Sequence, residues 1–277
     1  MRRPYVTIAL AAWLGAIAGM VCAEPLRVVA TTSLLASVLR DVGGQRVQVS
    51  VLIPPASCPG HFDLRPGDVA AVRRTGVLFA HQFERFVDRL GEAVGKPVQV
   101  CRIAIEGNWL VPGTYVRAAE QVAQHLMHLD AAGKPYYQRR LSQLRQRARA
   151  LDAELRQRLA QAGVPDTPVV GAQMLEPLLR WMGLRPVATY GRAEDLTPAG
   201  WHQVARAARE AGARLVVDNL QSGANIGTEL ARELGVRHVV LSNFPGGLPR
   251  TANWESCLRE NVRRVIEGVK AQRQAKK

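Results

Sequence analysis

Acidic side chains are the first thing in short supply: 23 aspartates and glutamates face 37 lysines and arginines, leaving a formal charge of +14, or +12 once Arg2 and Arg3 are set aside. A basic surplus of this kind suits nucleic acid or an anionic membrane surface. Aromatic residues are also few, at 5%, and the arginines are spread over helical faces with no aromatics between them. The charge is therefore read as solvated surface, with no nucleic acid among the expected partners. Short catalytic signatures are missing too: there is no H-E-x-x-H run, no G-x-S-x-G elbow and no G-x-x-x-x-G-K-[ST] loop. A metal-dependent hydrolase using His61, Cys58 and Glu176 is left without a motif, and the chain is not expected to be an enzyme.

Long apolar runs are limited to Ile8 to Val21, roughly 14 residues where a membrane span needs about 20. Arg2 and Arg3 precede that run and Val21-Cys22-Ala23 follows it, so residues 1–23 read as an export signal and the protein as periplasmic or otherwise extracytoplasmic. Lipid anchoring at Cys22 is not expected, because Val21 stands where a small residue is wanted. Removing the signal leaves Cys58, Cys101 and Cys257. An odd number in an oxidising compartment keeps at least one thiol free, metal-bound or intermolecular. A Cys58–Cys101 disulfide is the plain alternative to Cys58 as a ligand.

What is present is a pattern stated twice. From Leu26 onward, short apolar runs alternate with helical periodicities: a strand ending at Thr32, a helix capped by Ser33, and a strand carrying Val47, Val49, Val51 and Ile53, with further strands at 76–80 and 97–103. After Gly163 the alternation recurs, with strands at 168–171, 186–189, 214–218 and 238–242. Between the halves, 112–129 reads as one helix and 134–162 as another, with Tyr137, Leu141, Leu144, Ala148, Leu151, Leu155 and Leu159 on one stripe. The fold class is α/β: two lobes, each a roughly four-stranded parallel sheet flanked by helices, joined by one long rigid helix. The divisions are 24–111, 112–163 and 164–277.

In open parallel sheets, ligands bind beyond the carboxyl ends of the strands. The segment Pro54 to Pro66, P-P-A-S-C-P-G-H-F-D-L-R-P, sits at such an end and packs Cys58, His61 and Asp63 into six residues. The other residues just past strands are Ser33, His81, Asn108 and Trp109 in the first half, with Gln173, Tyr190, Asp218, Asn219 and Asn243 in the second.

With these pieces placed, the chain resembles the solute-binding proteins of bacterial zinc and manganese ABC importers. The likeness rests on V-V-A-T-T-S-L-L-A-S-V-L-R-D-V-G-G, V-L-I-P-P-A-S-C-P-G-H-F-D-L-R-P-G-D, G-K-P-Y-Y-Q-R-R-L and R-L-V-V-D-N-L-Q-S-G. It implies a divalent metal ion as cargo, zinc first, with manganese, iron or copper as options. It also implies a membrane permease with its ATPase as partners, and a monomer. The family's first ligand, a histidine after the second strand, matches His61. Its second, a histidine before a tryptophan, is absent here, with Asn108 next to Trp109 at that place. The third falls on or near Gln173, and the fourth, an aspartate after the last strand, on Asn243.

Neutral amides are weak zinc donors. Compensating donors are sought in Cys58, His81, Met174, Glu176 and Asp218. A metal set of His61, Cys58, Gln173, Glu176, Asp218 and Asn243 is therefore expected, with His81, Asn108, Trp109, Met174 and Asn219 around the cleft. The alternative cargo is a metal chelate or small polar solute, since amides both donate and accept hydrogen bonds.

Overall fold

The structure is a computed structural model and describes residues 24–223 and 225–275; the export signal expected at 1–23 lies outside the described residues. The first sheet contains β1 (Leu26–Ala30), β2 (Val47–Val51), β3 (Val77–His81) and β4 (Gln99–Ile103), all parallel, in the order β2-β1-β3-β4. The second contains β5 (Pro168–Ala172), β6 (Arg185–Tyr190), β7 (Leu215–Asn219) and β8 (Arg237–Leu241), again parallel, in the order β6-β5-β7-β8. The two orders are the same once renumbered, so both halves present equivalent strand ends to a ligand.

Helices α1 (Ser33–Gly43), α2 (Pro66–Thr75), α3 (Phe86–Val94) and α4 (Pro112–Leu129) belong to the first half, and α6 (Glu176–Trp181), α7 (Pro198–Glu210), α8 (Asn225–Leu234) and α9 (Trp254–Gln274) to the second. The N-cap of α1 is Thr32, whose Oγ1 accepts from Leu35 N at 3.2 Å. Ser33 is not the cap, because its hydroxyl donates to Pro245 O of the other lobe at 2.7 Å. Between the lobes, α5 (Lys134–Gln161) has 28 residues and so runs about 42 Å. Its buried residues are the seven of the expected stripe, Tyr137 to Leu159, and they face α4, α1 and α9.

The two faces of the first sheet are buried differently. On one, Val29, Leu78 and Ala80 meet Val72, Phe86, Val87 and Leu90 of α2 and α3 in a separate cluster. On the other, Val28, Ala30 and Phe79 join α1, α4 and α5 in a core that continues without a break into Val169, Leu215 and Val262 of the second half. Trp254, at the start of α9, stacks on Tyr115 of α4 with ring centroids 4.2 Å apart and planes at 9°. Its indole N–H donates to Leu110 O at 3.1 Å. A shared core gives the cleft stiff walls.

Candidate metal-binding cleft

The loop after β2 ends in one 3₁₀ turn, Pro59–His61, closed by His61 N donating to Cys58 O at 3.2 Å. This turn carries the His61 ring across to the second lobe, where Nε2 lies 3.0 Å from Glu194 Oε1. Glu194 stands in the turn Ala193–Asp195 that follows β6, and Arg192 Nη1 is 3.8 Å from the same carboxylate oxygen. Gly60 lies against the same arginine, where a Cβ would come within 2.5 Å of Nη2, the movable end of the Arg192 side chain. Cys58, Cys101 and Cys257 are all free thiols, which removes the Cys58–Cys101 disulfide. Cys58 is half-buried at the start of the His61 turn.

Deeper in the cleft, amides link the lobes directly. Asn108 Nδ2 donates to Asn243 Oδ1 at 2.7 Å and to Met174 O at 3.1 Å. Asn243 Nδ2 donates in turn to Asn219 Oδ1 at 3.2 Å, and Asn219 Nδ2 to Ser222 Oγ at 2.9 Å. Gln221 extends the tie, donating to Pro55 O at 2.7 Å and accepting from Asn243 N at 3.0 Å. Because each amide donates and accepts at once, the chain crosses the cleft with no charge to balance and no ion required at its centre.

Beside this chain is a cavity of about 510 Å³, lined by His81, Phe83, Ile105, Asn108, Trp109, Gln173, Met174, Asn243 and Phe244 among others. His81 is buried at 3% exposure between Phe83 and Trp109, with ring centroids at 5.1 and 4.3 Å. Its Nε2 is hydrogen-bonded with Thr32 Oγ1 at 2.9 Å. Desolvation pushes its pKa down to about 3, so the ring is neutral at working pH. Trp109, expected around the cleft, lines the cavity and packs on His81.

Glu84 underpins this wall, with Oε2 accepting from His81 N at 2.9 Å. Burial raises its pKa to about 7. A carboxyl whose folded pKa exceeds its unfolded one stabilises the fold fully below the unfolded value, and that stability is lost as pH rises through the folded one. His81, with its lowered pKa, slopes the other way below about 6.5, so the carboxyl is isolated by comparison with a variant. Glu84→Gln is expected to gain stability over the parent chain as pH rises from 5 to 7, by about 1.4 kcal/mol per pH unit. Urea unfolding at several pH values reads this out, and a pH-independent difference refutes it.

Not all of the residues expected as metal donors are brought together. Asp218 is turned into the second lobe, where it accepts from Tyr190 Oη at 2.7 Å and Gly227 N at 3.0 Å and pairs with His238 Nε2 at 3.0 Å. Glu176 accepts from Arg180 Nε at 3.0 Å and Nη2 at 2.7 Å, one turn along its own helix. Among the described residues no three of His, Cys, Asp and Glu converge as a metal would require. Glu194 was not among the sequence candidates; its position past the end of β6, four residues beyond Tyr190, was the available signal.

The family model described as "ZnuA: Zinc-uptake complex component A periplasmic" matches residues 28–268. The chain belongs to this zinc-uptake component A family. Solved structures agree in fold. The crystal structure of ZnuA superposes with a TM-score of 0.74 at 18% identity, covering 88% of this chain and 99% of that one. A manganese-bound mutant of the periplasmic metal-binding protein from Candidatus Liberibacter asiaticus gives 0.75 at 12% identity, covering 87% and 98%. The solute-binding protein FpvC from P. aeruginosa, in complex with Ni2+, gives 0.75 at 20%, covering 90% and 98%.

Proposed function

We propose that the protein is the extracytoplasmic solute-binding component of an ABC importer, capturing a transition-metal cargo between its lobes and handing it to a membrane permease driven by an ATPase. Export by residues 1–23, and a working chain divided at 24–111, 112–163 and 164–277, are part of this reading. So is the absence of enzymatic turnover. Support comes from the family, from relatives described as zinc-uptake, manganese-bound and nickel-bound proteins, and above all from the His61–Glu194 contact across the cleft. An imidazole and a carboxylate from opposite walls are two of the donors that zinc, manganese and nickel accept. Both side chains are about half exposed, so an incoming ion meets them without unfolding anything.

The test is a calorimetric titration of chelator-stripped protein with zinc, manganese, nickel and copper salts, beside His61→Ala. The variant is expected to lose at least about tenfold in affinity, equivalent to about 1.4 kcal/mol, while melting at the parent temperature. Equal affinities for both proteins, or no binding of any metal by the parent, overturn the proposal.

A further inference from the structure

The proposed metal cargo leaves a mismatch of size and donors. Two side-chain donors, His61 and Glu194, fall short of the four or more that a transition metal takes, so the rest must come with the cargo. The cavity of about 510 Å³ is within the ordinary range for small organic ligands, about 300–1,000 Å³. A water occupies only about 30 Å³, so a bare ion with a few waters would leave most of it unfilled.

The walls indicate what does fill it. Phe83, Met174 and Val100 are the exposed large hydrophobic residues among those described, and two of the three line this cavity, Phe83 at 64% exposure from the first lobe and Met174 at 60% from the second. Trp109 and the neutral His81 ring lie behind them. His81 Nδ1 is buried without a hydrogen-bond partner, although most buried polar atoms have one. No lysine or arginine is among the lining residues, despite a chain charge of +14, and Glu106 is the carboxylate among them. Aromatic faces favour flat rings, and a wall with a carboxylate and no cation disfavours an anion. His61 and Glu194 are not themselves lining residues; Gln173 is, and its Oε1 lies 4.0 Å from where a Cβ on Gly191 would sit, in the segment that leads to Glu194.

We propose that the cargo is a metal complex of a flat, aromatic, nitrogen- or oxygen-donor chelator with no net negative charge, whose rings lie in the Phe83–Trp109–Met174 cavity while its metal faces His61 and Glu194. This rests on the metal reading for the ion, but the cavity is argued independently of it.

The probes are zinc chloride, 1,10-phenanthroline, their 1:1 complex, which carries two positive charges, and a disulfonated phenanthroline, which carries two negative ones. The two phenanthrolines are compared without metal, so that the sulfonate charge and not the zinc sets the difference between them. Calorimetry on the parent chain is expected to show the cationic 1:1 complex binding at least tenfold more tightly than zinc chloride. Free phenanthroline is expected to bind at least tenfold more tightly than its disulfonated form. In the double variant Phe83→Ser, Met174→Ser, both advantages should fall below threefold at an unchanged melting temperature. Either advantage absent in the parent chain, or retained in full by the double variant, overturns the cavity proposal. Zinc chloride binding that His61→Ala weakens, with no advantage for the complex, keeps the metal reading and discards the chelator. Phenanthroline binding sensitive to the double variant, with no response to zinc in any form, keeps the cavity and discards the metal.

Discussion

Trp254→Ala is expected to lower unfolding free energy by about 3–5 kcal/mol, the cost of emptying a well-packed aromatic site, and to do so in one cooperative urea transition rather than two. Trp254 is 2% exposed and belongs to the second half of the chain, yet its stacking partner is Tyr115 and its N–H acceptor is Leu110 O, both from the first. Its backbone N also donates to Ser37 Oγ of α1 at 3.0 Å. Trp254→Phe should recover most of the loss, because a phenyl ring keeps the stack while the Leu110 carbonyl loses its partner, at about 1–2 kcal/mol. A loss below about 1 kcal/mol for the alanine variant would show that the lobes do not share a core. The consequence for function lies in stiffness: with α5 alongside and this stack across the join, the cleft takes its cargo largely preformed.

The parts of the fold written in local periodicity were legible before any coordinates. The α5 stripe is one case, since seven residues at helical spacing over an otherwise charged segment admit one buried face, and those seven are the buried ones. The bounds of α4 are another, set by Pro112 at its start and the loss of pattern after Leu129. Strand ends were placed to within a residue or two, which sufficed to name Asn108, Gln173, Asn219 and Asn243 as cleft residues. What the sequence withheld were pairings between distant positions. Thr32 and Ser33 are equally good caps locally, and only Pro245, 212 residues away, decides between them. Glu194 and His61 are likewise unrelated until the lobes face each other. The resemblance to metal-binding proteins marked three amides as departures, but not that two of them, Asn108 and Asn243, bond to each other. His81 was expected around the cleft as a compensating donor; its burial between two aromatics depends on how the end of β3 packs under the loop before α4.

Asp218→Ala is the second large expected effect, about 3 kcal/mol of lost stability, with metal affinity unchanged within about twofold. By position, a carboxylate just inside the end of a parallel strand is a reasonable ligand; by environment it is a structural anchor, 1% exposed with both oxygens occupied. Tyr190 from β6 donates to one oxygen, and the Gly227 amide from α8 and the His238 ring from β8 meet the other, so one side chain on β7 ties four elements. Gly227 permits its share because a Cβ there would overlap the carboxylate, 2.2 Å from Oδ2. Burial, reinforced by the neighbouring carboxylate, pushes the Tyr190 phenol far above its usual pKa, so it remains a donor at any working pH. Removing the acceptor leaves the buried Gly227 amide without this partner and the Tyr190 hydroxyl with Val217 O, 3.5 Å away, as its remaining acceptor, each loss costing about 1–3 kcal/mol. His238→Ala should cost less, about 1 kcal/mol, because the carboxylate keeps its other two donors. Urea unfolding and the zinc titration, run on the same preparations, separate the two roles. A variant of normal stability that no longer binds metal would return Asp218 to the ligand set and require the cleft to rearrange around it on binding.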